Sequence, residues 1–327
     1  MRKILSFFMC FSIVSISMAQ QDKQYSHYMF DRMSFNPAST GFKGYCGTVI
    51  YRNQWDRVQD APNSTLLNLQ ANIPKISSGV GLSFTNDAIG FTRNNTVQLC
   101  YARHIPTSYG VFSAGASLGI VNVSFSPMWV PPTTTPDPNL PAATAGTGFD
   151  MNLGLYWHST GDYPYYVGVS ATHVLPASLN IGSSLGTTTS YSVARHYYII
   201  AGYDYDLGAT IGSPRPFMLR PSVLVKADGS TMIFDINVLA EYYLSTSAYL
   251  WGGASFRMSD GVPIMLGYAF APNNQPTKNW LKFGYSFDIM TNPLKQYGKG
   301  THELMINYCL FPPPPVVARH GNPFILQ

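Results

Sequence analysis

The chain has 327 residues and a formal net charge of +4, with only 11% charged and 14% aromatic side chains. Soluble domains carry roughly 25% charge, so the composition argues against an ordinary soluble domain, and so small a net charge implies no nucleic-acid partner. A transmembrane β-barrel accounts for both departures, because half of its strand positions face lipid and aromatic belts mark its interfaces.

Arg2 and Lys3 precede an apolar stretch over residues 4–16, and Ser17-Met18-Ala19 offers small residues before Gln20. This order predicts a signal peptide over 1–19 and export of the mature chain. Removal of Arg2 and Lys3 lowers the formal charge to +2. Residues 20–45 are too polar, and too broken by Asn36-Pro37, to form a full first strand. They are expected to make a pre-barrel segment lying under or inside the barrel.

From residue 46 the chain alternates apolar with polar side chains in short runs. The predicted strands are 46–52, 65–73, 79–84, 96–104, 110–125, 149–158, 165–173, 197–206, 217–226, 231–242, 248–258, 263–270, 281–290 and 302–310. Leu281, Phe283, Tyr285, Phe287 and Ile289 give an unbroken apolar row against Lys282, Gly284, Ser286, Asp288 and Met290, the period of two that a half-buried strand requires. An even number of antiparallel strands of this length predicts an all-β fold: a single barrel, 14-stranded, over residues 46–311. Asp228-Gly229 supplies the clearest hairpin turn. The two longest connections, 126–148 and 175–195, both have odd positions, which puts them on one face, expected to be extracellular. Pro312–Pro315 ends the pairing and opens a Pro-rich tail over 312–327.

Cys46, Cys100 and Cys309 remain after the signal. Their odd number and lack of metal-ligand spacing favour a packing role. The seven histidines are scattered, with no His-Glu-x-x-His motif, no nucleophile elbow and no phosphate loop. The expectation is no catalytic, metal or cofactor site. Asp235, Asn237 and Glu241 share one parity, opposite Phe234, Ile236 and Val238, which predicts a polar lumen. With Arg220, Lys226, Lys282, Asp288 and Glu303, the charges there are expected to pair with each other.

The densest signature follows the signal: Gln21-Asp22-Lys23-Gln24-Tyr25-Ser26-His27-Tyr28-Met29-Phe30, Phe35-Asn36-Pro37-Ala38, Gly41, Tyr51-Arg52-Asn53-Gln54-Trp55, Ala61-Pro62, Gly79-Val80-Gly81-Leu82 and Asn86-Asp87-Ala88-Ile89-Gly90. In this order and spacing the residues resemble the PorP/SprF family of outer-membrane proteins associated with type IX secretion in Bacteroidetes-type bacteria. The resemblance implies a non-enzymatic component of the secretion and gliding machinery, set in outer-membrane lipid. Its implied partners are the C-terminal sorting domain of a secreted adhesin, and the periplasmic ring or envelope lipoproteins of the machinery. The second reading is a transport channel similar to long-chain fatty-acid transporters, with residues 20–45 as its plug.

Physical reasoning assigns roles within that signature. Asn36-Pro37 should start a turn that folds Tyr25–Phe30 against the barrel. Arg52 and Trp55 should end the first strand at an interface, with Arg52 bridging carboxylates such as Asp87. Tyr28, Phe30, Gln54 and Trp55 are either packing residues or anchors for a protein partner.

Overall fold

The computed structural model describes residues 22–42, 44–128, 143–160, 164–175, 178–182, 188–207, 216–228, 231–258 and 260–311. The expected signal peptide, most of the first long connection and the Pro-rich tail lie outside these residues. The strands are β1 (Tyr45–Asn53), β2 (Asn63–Ile73), β3 (Ser78–Ile89), β4 (Thr92–Pro106), β5 (Gly110–Phe125), β6 (Thr144–Ser159), β7 (Tyr165–Thr172), β8 (Ser178–Gly182), β9 (Thr188–Ser192), β10 (His196–Tyr203), β11 (Tyr205–Asp206), β12 (Phe217–Ala227), β13 (Met232–Ser245), β14 (Ala248–Arg257), β15 (Gly261–Phe270), β16 (Asn279–Met290) and β17 (Thr301–Leu310).

Fourteen of them form one antiparallel cycle: sequence neighbours pair throughout, β7 pairs with β10, β10 with β12, and β1 closes onto β17. β11 is a two-residue extension against β12, and β8 pairs only with β9, as a hairpin inside the β7–β10 connection. The expected 14-stranded barrel is therefore the observed one. No open edge remains in the cycle, so the backbone groups within the bilayer find their partners in the ladder.

The period of two sorts the side chains as expected. On β17, Leu304, Ile306, Tyr308 and Leu310 face outward, with Leu304 54% exposed, while Thr301, Glu303, Met305, Asn307 and Cys309 turn into the lumen. Asp235, Asn237 and Glu241 are buried on the lumen side of β13. The ladders of β3 with β4 and of β5 with β6 continue past the expected boundaries. In the first of these extensions Asn86 Nδ2 donates to Asn95 Oδ1 across the pair at 2.6 Å. Alternation is a weak signal there because both faces are polar, whereas backbone pairing continues.

The cysteine expectation needs correction. Cys46 and Cys309 are directly opposed in the β1–β17 register and are joined by a disulfide, while Cys100 is free and buried. Counting cysteines missed this because the pairing depends on barrel closure, which brings residues 263 apart in sequence into contact.

Strand direction alternates, so the connections 54–62, 126–143, 173–195, 228–231, 258–260 and 291–300 leave at one end with the short 90–91 turn. This is the loop end. The disulfide sits at the opposite end, the base, where β1 begins and β17 finishes.

Candidate functional site

The lumen is occupied by the chain's own N-terminal segment. Residues 22–42 form no strand; they enter near the loop end and descend through a series of turns to β1 at the base. Tyr25, Ser26, His27, Tyr28, Asp31 and Asn36 are all buried. Asn36 caps a single 3-10 turn, Pro37–Ser39, its Oδ1 accepting from the Ala38 N–H at 3.0 Å, and its Nδ2 donates to the Leu155 carbonyl at 3.1 Å. The expected turn at Asn36-Pro37 is thus present, and it is bolted to β6.

The wall is cut to receive this turn. A Cβ built on Gly115 would lie 2.5 Å from the Ala38 backbone, and one on Gly154 would strike the Asn36 side chain. Bare backbone here allows the close approach that any larger residue would block.

Nearer the loop end the segment is held by charge. The Ser26 and His27 N–H groups donate to the two oxygens of Glu303 at 2.8 and 2.9 Å, and His27 Nδ1 lies 2.7 Å from Glu303 Oε1. Arg52 Nη1 donates to Glu303 Oε2 at 3.0 Å, and its Nη2 pairs with Asp288 Oδ2 at 2.8 Å. Arg257 joins Asp288 at 3.2 Å to Asp235 at 3.1 Å. Buried charges of this kind are tolerated only when paired and hydrogen-bonded, and this network satisfies both conditions using strands β1, β13, β14, β16 and β17. Closer to the base, Arg220 pairs with Glu241 at 3.3 Å. Arg220, Asp235, Glu241, Asp288 and Glu303 therefore stand in ion pairs, as expected, whereas Lys226 bonds the Asp22 backbone carbonyl and Lys282 lies over the Phe30 ring instead. The bridge from Arg52 to Asp87 does not form; Asp87 accepts a hydrogen bond from Ser64 instead.

Above the network lies a cavity of about 490 Å³ at the loop end. Tyr28, Arg52, Gln54, Trp55 and Asp87 all contribute to its lining, so the structure brings five of the eight singled-out residues to one place. Phe30, Asn36 and Pro37 lie elsewhere on the segment: Phe30 packs on Trp251 with ring centroids 4.7 Å apart, and Lys282 lies 5.3 Å from the Phe30 ring centre. Tyr28 is sealed under the cavity and bonds Ser222 at 3.1 Å. Trp55 is not an outward headgroup anchor. Its backbone is left-handed, at φ 55°, its side chain lines the cavity, and its backbone N–H donates to Thr301 Oγ1 at 3.1 Å.

Two buried donors on the cavity wall, Tyr25 Oη and Trp55 Nε1, find no hydrogen-bond partner within the described chain. Burial, with the charges of Asp87, Glu303 and Asp22 acting the same way, raises the Tyr25 phenol well above its usual range, so it stays a donor. At the rim, burial opposes ionisation of Asp22, but the surrounding His173, His196, Lys226 and Lys23 overcome it and hold the carboxyl well below its usual range. An orphaned buried donor costs stability; both side chains line the cavity, while the two donor atoms themselves are closed to solvent. Reasoning on the sequence missed Ser26, His27 and Arg257. Parity could have found Arg257, which shares the lumen face of β14 with Trp251 and Ser255, but Ser26 and His27 lie on the strandless segment, where alternation carries no signal.

His104 Nδ1 and Ser113 Oγ form a 2.7 Å pair on the lumen wall, but Phe42 packs edge-on against the imidazole and His104 Nε2 has no partner. The third group that orients a catalytic base is missing from this pair.

The barrel is similar to solved outer-membrane channels. The CymD monoaromatic hydrocarbon channel superposes with a TM-score of 0.52 at 11% identity, covering 86% of this chain and 93% of that one. A FadL homologue from Pseudomonas aeruginosa gives 0.46 at 13% identity, covering 84% and 91%. No curated protein matches the chain. A family profile described as "Type IX secretion system membrane protein PorP/SprF" matches residues 17–308. With nearly the whole barrel and its inner segment inside that match, the chain belongs to the PorP/SprF family of type IX secretion system membrane proteins.

Proposed function

We propose that this outer-membrane barrel is a non-enzymatic, partner-specific component of type IX secretion that captures the C-terminal sorting domain of a secreted substrate, such as a gliding adhesin, at its loop end. The observation that carries this reading is the mouth cavity, lined by the aromatic side chains of Tyr25 and Trp55 above a lumen closed by the chain's own segment. A filled lumen favours an anchor over a conduit, and fourteen strands enclose too little width for a folded adhesin. Aromatic donors seated in a desolvated pocket are the kind of group that dominates binding energy at protein interfaces. In this reading the signal peptide is removed before Gln20, the long connections frame the docked domain, and the machinery's periplasmic ring or envelope lipoproteins approach the base.

The test is deletion of the gene followed by surface proteomics. One or a few sorting-domain substrates should vanish from the surface or be degraded, and normal display of all of them would reject the reading. Trp55→Ala in the intact barrel should weaken capture of that sorting domain by about tenfold or more, read by co-purification and calorimetry.

A second reading, uptake of a small molecule, draws on the size of the cavity, about 490 Å³, and on its partly apolar lining by Phe35, Leu224 and Ile233. The CymD channel of similar fold is a monoaromatic hydrocarbon channel. An uptake defect in the deletion strain with secretion intact would favour this reading over the first.

A further inference from the structure

Apart from the contacts that seat the segment, three side chains at the cavity rim bring potential ligand atoms close together. Asp22, His173 and His196 each offer one such atom, all within 4.8 Å of one another. They come from separate pieces of chain: the start of the N-terminal segment, the residue after β7 and the first residue of β10. Asp22 Oδ2 and His173 Nε2 are 3.8 Å apart. That is too far for a hydrogen bond, yet two metal–ligand bonds of about 2.0–2.1 Å bridge it at an open angle.

The surroundings fit a ligand set. Asp150 Oδ1 lies 3.0 Å from the other nitrogen of His173, off the direction of a well-formed hydrogen bond but placed as the carboxylate that steers an imidazole toward an ion. The Tyr198 hydroxyl donates to Asp22 Oδ2 at 2.8 Å and fixes that carboxylate. Lys226 bonds the Asp22 backbone carbonyl and leaves the carboxylate free of an ammonium contact. His196 Nε2 accepts the Asp22 N–H at 3.0 Å, while its buried Nδ1 has no partner.

We propose that Asp22, His173 and His196 bind a divalent first-row transition ion of the Zn²⁺ type, clipping the start of the N-terminal segment to the barrel wall. On loading, His196 Nε2 exchanges the Asp22 N–H for the ion, and water from the cavity completes the coordination. Two imidazoles and one carboxylate suit Zn²⁺, Co²⁺ or Ni²⁺ better than Ca²⁺ or Mg²⁺, which prefer all-oxygen sites. The site does not depend on the secretion reading.

The experiment uses the full barrel purified in detergent and stripped with a chelator. Calorimetry with Zn²⁺ should give one ion per chain, and Co²⁺ should develop the visible absorption of a nitrogen-bearing site. His173→Ala, His196→Gln and Asp22→Asn should each weaken Zn²⁺ by at least tenfold. Asp150→Asn, a positioning change, should cost about 10–100-fold, and His302→Gln on β17 should change nothing. Heat-modifiable migration on gels checks folding. If His196→Gln fails that check, His173→Ala, which lies outside the strands, carries the test. Absence of saturable binding at millimolar ion, or binding insensitive to both His173→Ala and Asp22→Asn, overturns the site.

Discussion

Glu303 gathers two backbone N–H groups of the N-terminal segment, the His27 ring and the Arg52 guanidinium around one buried carboxylate. Replacing it with alanine strips the His27 ring and two buried backbone N–H groups of their acceptor and leaves Arg52 with Asp288 alone. Loss of one partner from a buried ion pair costs about 3–5 kcal/mol, so Glu303→Ala should lower the denaturant midpoint of the detergent-solubilised barrel by that equivalent, measured by loss of heat-modifiable migration. A conservative change at Tyr25 reads the opposite balance. Its buried hydroxyl has no partner among the described residues, so Tyr25→Phe should raise the denaturant midpoint by the equivalent of about 1 kcal/mol. Alternation along the sequence assigned Glu303 and Asp288 to the lumen, but the sequence reading put Arg52 at an interface, where the structure buries it in the lumen, and named the wrong partner for it. Parity determines which face a side chain takes; its neighbours around the circumference depend on closure, which puts β17 beside β1.

At the scale of elements, the N-terminal segment and the wall that receives it form one fitted pair. Gly115→Val and Gly154→Val together should unseat the turn at Asn36-Pro37 without disturbing the ladder. The expected outcome is protease cleavage within residues 22–42 and new ion conductance in planar bilayers, both absent from the parent. The strands were legible because each has one face toward lipid, and the expected run 110–125 coincides with β5. The segment was less so: its composition ruled out a strand, but nothing local specified that it would rise inside the lumen. The β8–β9 hairpin escaped for a related reason, since its two strands pair only with each other, and β8 lies beside β6 without joining the barrel's ladder. The Cys46–Cys309 link adds a covalent tie between first and last strands. Cys46→Ser should cost about 2–4 kcal/mol, a typical value for a native disulfide, and alkylation of the unreduced, denatured parent should label Cys100 while sparing Cys46 and Cys309.

Across the whole molecule, one seam carries both ends of the barrel's closure: the disulfide at the base and the Arg52–Glu303 pair toward the loop end. The membrane cylinder, the inner segment and the mouth cavity are consequently a single mechanical unit, and a partner drawn to the cavity would pull on a scaffold tied where its first and last strands meet. The same seam sets the order in which the molecule can be built. Ser26 and His27 dock on a residue 277 and 276 positions further along the chain, and contacts that remote form late because a long loop must close first. The first residues to be exported therefore have no seat until the last strand is in place. A chain truncated before β17 should leave its amino-terminal turns open to envelope proteases, so that degradation removes unfinished barrels and spares complete ones.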